Sequence, residues 1–154
     1  MTRFRLMLAL AFCAALTTIS AAADPFAGTW RLNTAKSKYD PGPAPDSATV
    51  TIESDGVTMT AKTESSFEGK PMTVTYKANL DGTPAPLQGS PVADMVSVKK
   101  VDEQTREMKT TKGGQAVSES RATVSADGKT ATVVGSGLNP KGVKVTFTAL
   151  YEKQ

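Results

Sequence analysis

The chain has 154 residues, with 18 basic and 15 acidic side chains, a single cysteine and no histidine. The absence of histidine excludes Ser-His-Asp and Cys-His catalysis. Together with the single cysteine, it also excludes zinc sites built from His or Cys and the usual axial ligands of haem. The near balance of charge gives no basic field of the kind that binds nucleic acid. We therefore expect a protein that is not an enzyme and that has no metal, cofactor or nucleic-acid partner.

Residues 1–23 have the pattern of a secretory signal. Arg3 and Arg5 precede the apolar run 6–16, and a small-residue segment ends at Ala23. The run is shorter than the roughly 20 apolar residues that cross a bilayer. Cleavage between Ala23 and Asp24 is the prediction, which would make the protein periplasmic or secreted.

Removal of the signal leaves residues 24–154, enough for one domain. The basic side chains fall from 18 to 16, against 15 acidic ones. Cys13 leaves with the signal, so the domain has no disulfide and depends on its core. A second long apolar run is absent, and the mature form is therefore predicted to have no membrane span.

The mature chain is predicted to be all-β. Short runs rich in Thr and Val alternate apolar with polar residues and are separated by Gly, Asp, Pro and Asn, a pattern typical of half-buried strands joined by hairpin turns. Residues 33–39 could form one helical turn, and the three prolines between 41 and 45 favour an extended connection. The predicted strands are 28–35, 47–54, 57–65, 71–79, 94–101, 104–111, 115–125, 129–137 and 143–152.

Each of several predicted strands has one apolar and one polar face. The apolar members include Val50, Ile52, Val57, Met59, Ala61, Met72, Val74, Tyr76, Ala78, Val143, Val145, Phe147, Ala149 and Tyr151. An antiparallel sheet of eight or nine strands can bury such a face by closing or by packing as two sheets, and closure also removes exposed edges. We predict an up-and-down meander that closes into a barrel, with a two-sheet β-sandwich as the alternative.

The first strand contains the sharpest motif. Gly28-Thr29-Trp30 is followed by the N-x-x-K-S spacing of Asn33 to Ser37. With the meander and the mature length, this segment resembles the lipocalin and calycin superfamily, most closely its small exported bacterial members. The resemblance implies that Gly28 and Trp30 plug the closed end of the barrel and that the interior binds a hydrophobic ligand.

The resemblance also implies an arginine from a late strand packed over Trp30. The last predicted strand has no arginine, so the substitutes are Arg121 in the seventh run or Lys153 at the tail. The Arg-x-Tyr clamp of cytosolic fatty-acid binders is absent as well, because Ala149 stands two positions before Tyr151. The residues that would hold a ligand are therefore not supplied by the resemblance.

Small residues on the apolar face leave two interpretations open. They could leave a cavity, or they could close a narrow, fully packed barrel around its few large side chains. The large side chains that would line a cavity are Met59, Met72, Tyr76, Met108 and Phe147.

Two basic residues on neighbouring predicted strands, Lys100 and Arg106, alternate onto the same face as the apolar residues of those strands. A hairpin that pairs Lys100 with Arg106 and Val98 with Met108 would place both cations side by side on the inward face at one end of the barrel. Such a pair at a cavity mouth would suit an acidic head group. The alternative is that both long side chains extend outwards to water and bind nothing.

Two functions follow as hypotheses. The first is a non-catalytic barrel that binds or carries a small hydrophobic molecule, with or without an acidic group. The second is a periplasmic protein-interaction or inhibitor module with a filled barrel, in which loops 36–47 and 80–93 contact the partner. We expect loop 80–93 to be a rigid cover over one barrel end, since it contains three prolines.

Overall fold

A computed structural model describes residues 22–154, so most of the predicted secretory signal lies outside the described residues. The described chain contains ten strands. Their bounds are β1 Gly28–Asp40, β2 Ser47–Ser54, β3 Thr58–Phe67, β4 Lys70–Asn79, β5 Ala85–Gln88, β6 Met95–Asp102, β7 Thr105–Lys112, β8 Gln115–Val124, β9 Thr130–Leu138 and β10 Lys144–Lys153.

The strands form one closed antiparallel barrel. Each strand pairs with its neighbours in sequence, and β1 pairs with both β2 and β10. The predicted meander and barrel are confirmed, with ten strands in place of eight or nine. Within residues 22–154, the structure contains no helix that is long and apolar enough to cross a membrane.

The strand missed by sequence reasoning is β5. Its residues Ala85 and Leu87 face inward beside the buried cluster that contains Val96 and Val98, and Leu87 pairs with Tyr76 of β4. Loop 80–93 was predicted to be a cover over one end, but its central part is a wall strand between β4 and β6. Pro86 obscured the strand because proline removes a backbone donor from the ladder.

The helical turn predicted at 33–39 is also wrong, because β1 continues to Asp40 with an irregularity between Asn33 and Lys38. Asn33 Oδ1 accepts the Lys36 amide at 3.0 Å. The Ser37 hydroxyl donates to the Asn33 carbonyl at 2.7 Å and accepts the Leu150 amide at 2.9 Å. The N-x-x-K-S residues therefore build a bulge that lets β1 stay paired with β10 on both sides of it.

The barrel interior holds the core. Buried apolar side chains form three clusters around Met59 and Val98, around Trp30 and Val124, and around Leu32 and Ala149. Val57 and Val143, predicted on the apolar face, are exposed because each lies in a hairpin turn one residue before its strand begins. The alternation of faces therefore holds within strands and fails at their ends.

The two ends of the barrel differ in what covers them. The end where β1 begins also receives residues 24–27, which precede β1, together with the short links after β2, β6 and β8. The other end carries the proline-containing link 41–46, the β3–β4 turn and the β9–β10 turn. At that end Gly89 lies directly on the Thr73 carbonyl, where an added Cβ would stand 1.9 Å from the oxygen.

Candidate functional site

The barrel interior contains a cavity of about 300 Å³ that is partly open to solvent. Most of its wall is apolar, with hydroxyl groups from a few Ser, Thr and Tyr side chains and one charged residue. The residues that line it are Phe26, Trp30, Tyr39, Val50, Ile52, Met59, Thr63, Tyr76, Arg106, Met108, Ser120, Ala122, Ala131, Val133, Phe147, Ala149 and Tyr151. Of the two interpretations that the sequence left open, the structure shows the cavity.

Trp30 lines the cavity at the end of the barrel where β1 begins, which we call the floor. Its side chain is buried, and its indole N–H donates to the Phe26 carbonyl at 2.8 Å. Lys153 Nζ lies 4.9 Å from the Trp30 ring centroid and donates to the Pro25 carbonyl at 3.1 Å. Between the two candidates for a cation over Trp30, the structure selects Lys153.

Gly28 gives Lys153 the room it needs. A Cβ on Gly28 would stand 2.8 Å from Lys153 Cε, and the φ of Gly28 is +125°. Both the close approach and the backbone conformation favour glycine. The other candidate, Arg121, lies on the outer face, where its Nη1 is 3.7 Å from Glu107 Oε1.

The second part of the floor is a buried ion pair. Arg106 Nη2 donates to both carboxylate oxygens of Asp24 at 3.0 Å, and both side chains are almost fully buried. Arg106 Nη1 donates to the Asp102 carbonyl at 2.6 Å and to the Thr105 carbonyl at 3.2 Å. The guanidinium carbon also lies 4.6 Å from the Phe26 ring centroid, so the N-terminal segment is held against the barrel.

Asp24 is held in its charged form. Burial by itself would raise the pKa of this carboxyl, but hydrogen bonds from the Ser54 hydroxyl and the Phe26 amide and the charge of Arg106 together lower it below 3.8. The pair is therefore ionised at neutral pH, and the charge of Arg106 is compensated inside the protein.

All three tyrosines of the chain line the cavity. Burial raises the pKa of Tyr39, Tyr76 and Tyr151, with a further contribution from Tyr39 at Tyr151. Among the hydrogen bonds of residues 22–154, none involves a tyrosine hydroxyl. The cavity is thus lined by neutral phenols, whose hydroxyls can donate hydrogen bonds to a bound molecule or accept hydrogen bonds from it.

Most of the predicted ligand-binding residues come together. Met59, Tyr76, Arg106, Met108 and Phe147 line the cavity. Met72 and Lys100 do not. Met72 lies further along β4, beside a surface groove that includes Gly89 and Pro91, and Lys100 is partly exposed at the closed end.

The predicted pairing of Lys100 with Arg106 and of Val98 with Met108 is confirmed. The two cations, however, lie at the end that Trp30 and Asp24 close. Lys100 Nζ forms an ion pair with Glu103, and Arg106 is paired with Asp24. Each cation therefore already has a carboxylate partner in the structure.

Sequence reasoning missed Asp24, Phe26 and Tyr39 as site residues. Tyr151 already belonged to an apolar strand face, so its place in the wall could have been found from alternation. Asp24 carried no such signal, because its partner Arg106 lies 82 positions away in the chain.

Within residues 22–154, no three His, Cys, Asp or Glu side chains come together in a way that could hold a metal ion. No protein-family model matches the chain, and no curated protein has a significantly similar sequence.

Proposed function

We propose that this chain is an exported, lipocalin-like β-barrel that binds or carries a small, mainly apolar molecule without converting it. The observation that supports this proposal is the interior cavity of about 300 Å³. Protein interiors are otherwise close-packed, so an unfilled space of this size inside a small barrel is unusual. Its wall is mostly apolar, and a bound apolar molecule would remove that wall from water, which is favourable.

The volume limits the size of the guest. An apolar cavity of about 150 Å³ holds benzene, so one of 300 Å³ would hold a molecule of roughly a dozen non-hydrogen atoms. The lining supports binding over catalysis. Arg106 is the one charged residue in it, and its charge is already balanced by Asp24.

The test is calorimetric titration of the purified protein, produced from the full chain, with naphthalene. The expected result is saturable binding at one site, accompanied by a change in the fluorescence of Trp30, the sole tryptophan, which lines the cavity. Replacing Ser120, a lining residue, with leucine should fill part of the cavity and weaken binding at least tenfold.

The matched control is Thr123→Leu, which adds the same side chain to the exposed outer face of the same strand. It should bind naphthalene like the unmodified protein. Failure of naphthalene to bind, or equal binding by Ser120→Leu, would overturn the proposal and favour the interaction module with a filled barrel.

A further inference from the structure

The polar groups of the cavity point to the chemical class of its ligand, a step that rests on the proposed binding function. Hydroxyl groups inside proteins normally have hydrogen-bond partners, because losing water without a replacement costs free energy. None of the three tyrosine hydroxyls has a partner among residues 22–154, and none of them is a fully buried atom, so all three are accessible groups of residues that line the cavity. A guest with a polar atom would supply a partner.

These two tyrosines belong to one part of the wall. Tyr39 is on β1 and Tyr151 on β10, which are paired strands. Both pack against the same buried cluster of Leu32, Ala48 and Ala149. Tyr39 also stacks on Phe147, with ring centroids 5.8 Å apart. Stacking restricts the Tyr39 ring, and packing against this cluster restricts the Tyr151 ring, so both phenols are held in the same part of the wall.

Tyr76 stands apart from this pair. It is on β4, separated from β1 by two intervening strands, and it packs against a different cluster that includes Met59 and Val98. A polar group held by Tyr39 and Tyr151 would leave Tyr76 in contact with the rest of the guest. Because the Tyr76 hydroxyl also lacks a partner, Tyr76→Phe tests whether the oxygen is bound by the pair or by Tyr76.

The electrostatics of the wall favour an uncharged guest. An ion moved from water into an apolar site loses solvation, which must be replaced by an opposite charge. Arg106 is the one cation among the lining residues. Both its Nη atoms already donate to Asp24 or to backbone carbonyls, and its buried Nε has no partner among residues 22–154. A carboxylate would enter a site whose only positive charge is already compensated.

We propose that the cavity selects an uncharged, mainly apolar molecule that carries a hydroxyl or carbonyl oxygen, and that Tyr39 and Tyr151 are the residues that bind this oxygen. The selected class is alcohols, phenols and ketones of about a dozen non-hydrogen atoms. Fatty acids and other carboxylates are disfavoured.

The experiment compares naphthalene, naphthol and naphthoate by calorimetry at neutral pH, where naphthol is uncharged and naphthoate is an anion. The three share one ring system and differ in the polar group. In the unmodified protein, naphthol should bind about tenfold more tightly than naphthalene, which is near the upper end expected for one net hydrogen bond and within the range for two. Naphthoate should bind at least tenfold more weakly than naphthol.

The double variant Tyr39→Phe/Tyr151→Phe should lose the preference for naphthol and keep its affinity for naphthalene, which also shows that the variant folds. Tyr76→Phe should keep the preference. Retention of the preference in the double variant, or its loss in Tyr76→Phe, would overturn the assignment of the oxygen to this pair.

The outcomes separate the two proposals. Equal binding of naphthalene and naphthol would leave the proposed function standing and overturn the selection of an oxygen. Tighter binding of naphthoate would overturn the selection against charge. Absence of binding by all three compounds would overturn the proposed function and this inference together.

Discussion

Asp24 and Arg106 form a buried, doubly hydrogen-bonded ion pair that joins the segment before the first strand to the seventh strand. Phe26, two residues after Asp24, lies against the same guanidinium. The pair therefore holds the residues that close one end of the barrel, and the predicted cleavage after Ala23 would leave Asp24 in the mature chain. Four predictions follow from this pair and from two neighbouring contacts.

Removing one partner of the ion pair should be costly. Asp24→Asn leaves Arg106 with an uncompensated buried charge, and we expect it to lower the free energy of unfolding by about 3–5 kcal/mol. Arg106→Met should have a similar effect by isolating Asp24. The double variant should cost much less than the sum, since it removes both buried charges. Urea unfolding at neutral pH measures all four proteins, and strict additivity would contradict the coupling.

The ion pair should also give a specific pH dependence. The folded-state pKa of Asp24 is lowered from 3.8, so the unfolded state binds this proton first as the pH falls. Its stabilising contribution is complete above the unfolded pKa and is lost as the pH falls through the folded pKa. The difference in unfolding free energy between the unmodified protein and Asp24→Asn should be constant from pH 7 to about pH 5 and shrink below about pH 4.

The comparison with Asp24→Asn isolates this carboxyl from others whose pKa values are also lowered, such as Asp55 and Asp127 in exposed turns. Urea unfolding at several pH values provides the measurement. A difference that stays constant down to pH 2, or grows in acid, would be inconsistent with a charged Asp24 in the folded state.

Lys153 should stabilise the floor through Trp30. Lys153→Met keeps most of the side-chain length and removes the charge, so the contact with the indole ring and the hydrogen bond to Pro25 are lost. We expect a loss of about 1–2 kcal/mol in unfolding free energy and a shift in Trp30 fluorescence. The control is Lys144→Met at the exposed start of the same strand, for which both quantities should be nearly unchanged. Equal effects in the two variants would argue against the proposed contact.

The bulge in β1 should depend on Asn33. Its side-chain Nδ2 donates to Glu152 Oε1 at 2.9 Å, and its side-chain Oδ1 accepts the Lys36 amide at 3.0 Å. Asn33→Ala should therefore lower the unfolding free energy by about 1–2 kcal/mol. Thr34→Ala, at an exposed bulge position, should change it by less than about 0.5 kcal/mol. Thermal and urea unfolding test the pair, and a larger loss in Thr34→Ala would refute the role given to Asn33.

The residues that line the cavity show what strand alternation can and cannot predict. Met59, Tyr76 and Phe147 were identified from their alternating positions because a side chain on a regular strand has only two faces to choose from. Met72 has the same phase as Tyr76 but lies outside the cavity, since alternation specifies the face and says nothing about the position along the barrel axis. β5 was missed because four residues that include Pro86 are too few to show a period.

The sequence by itself determined that this is an all-β chain whose successive strands are antiparallel neighbours, that Trp30 starts the core, and that Lys100 pairs with Arg106. These are local properties, set by side-chain period and turn residues. The tertiary structure alone decided that small residues leave a cavity, that Asp24 neutralises Arg106, and that Tyr39 and Tyr151 pack against the same cluster. Each depends on residues far apart in the chain, whose separation is set only when the barrel closes.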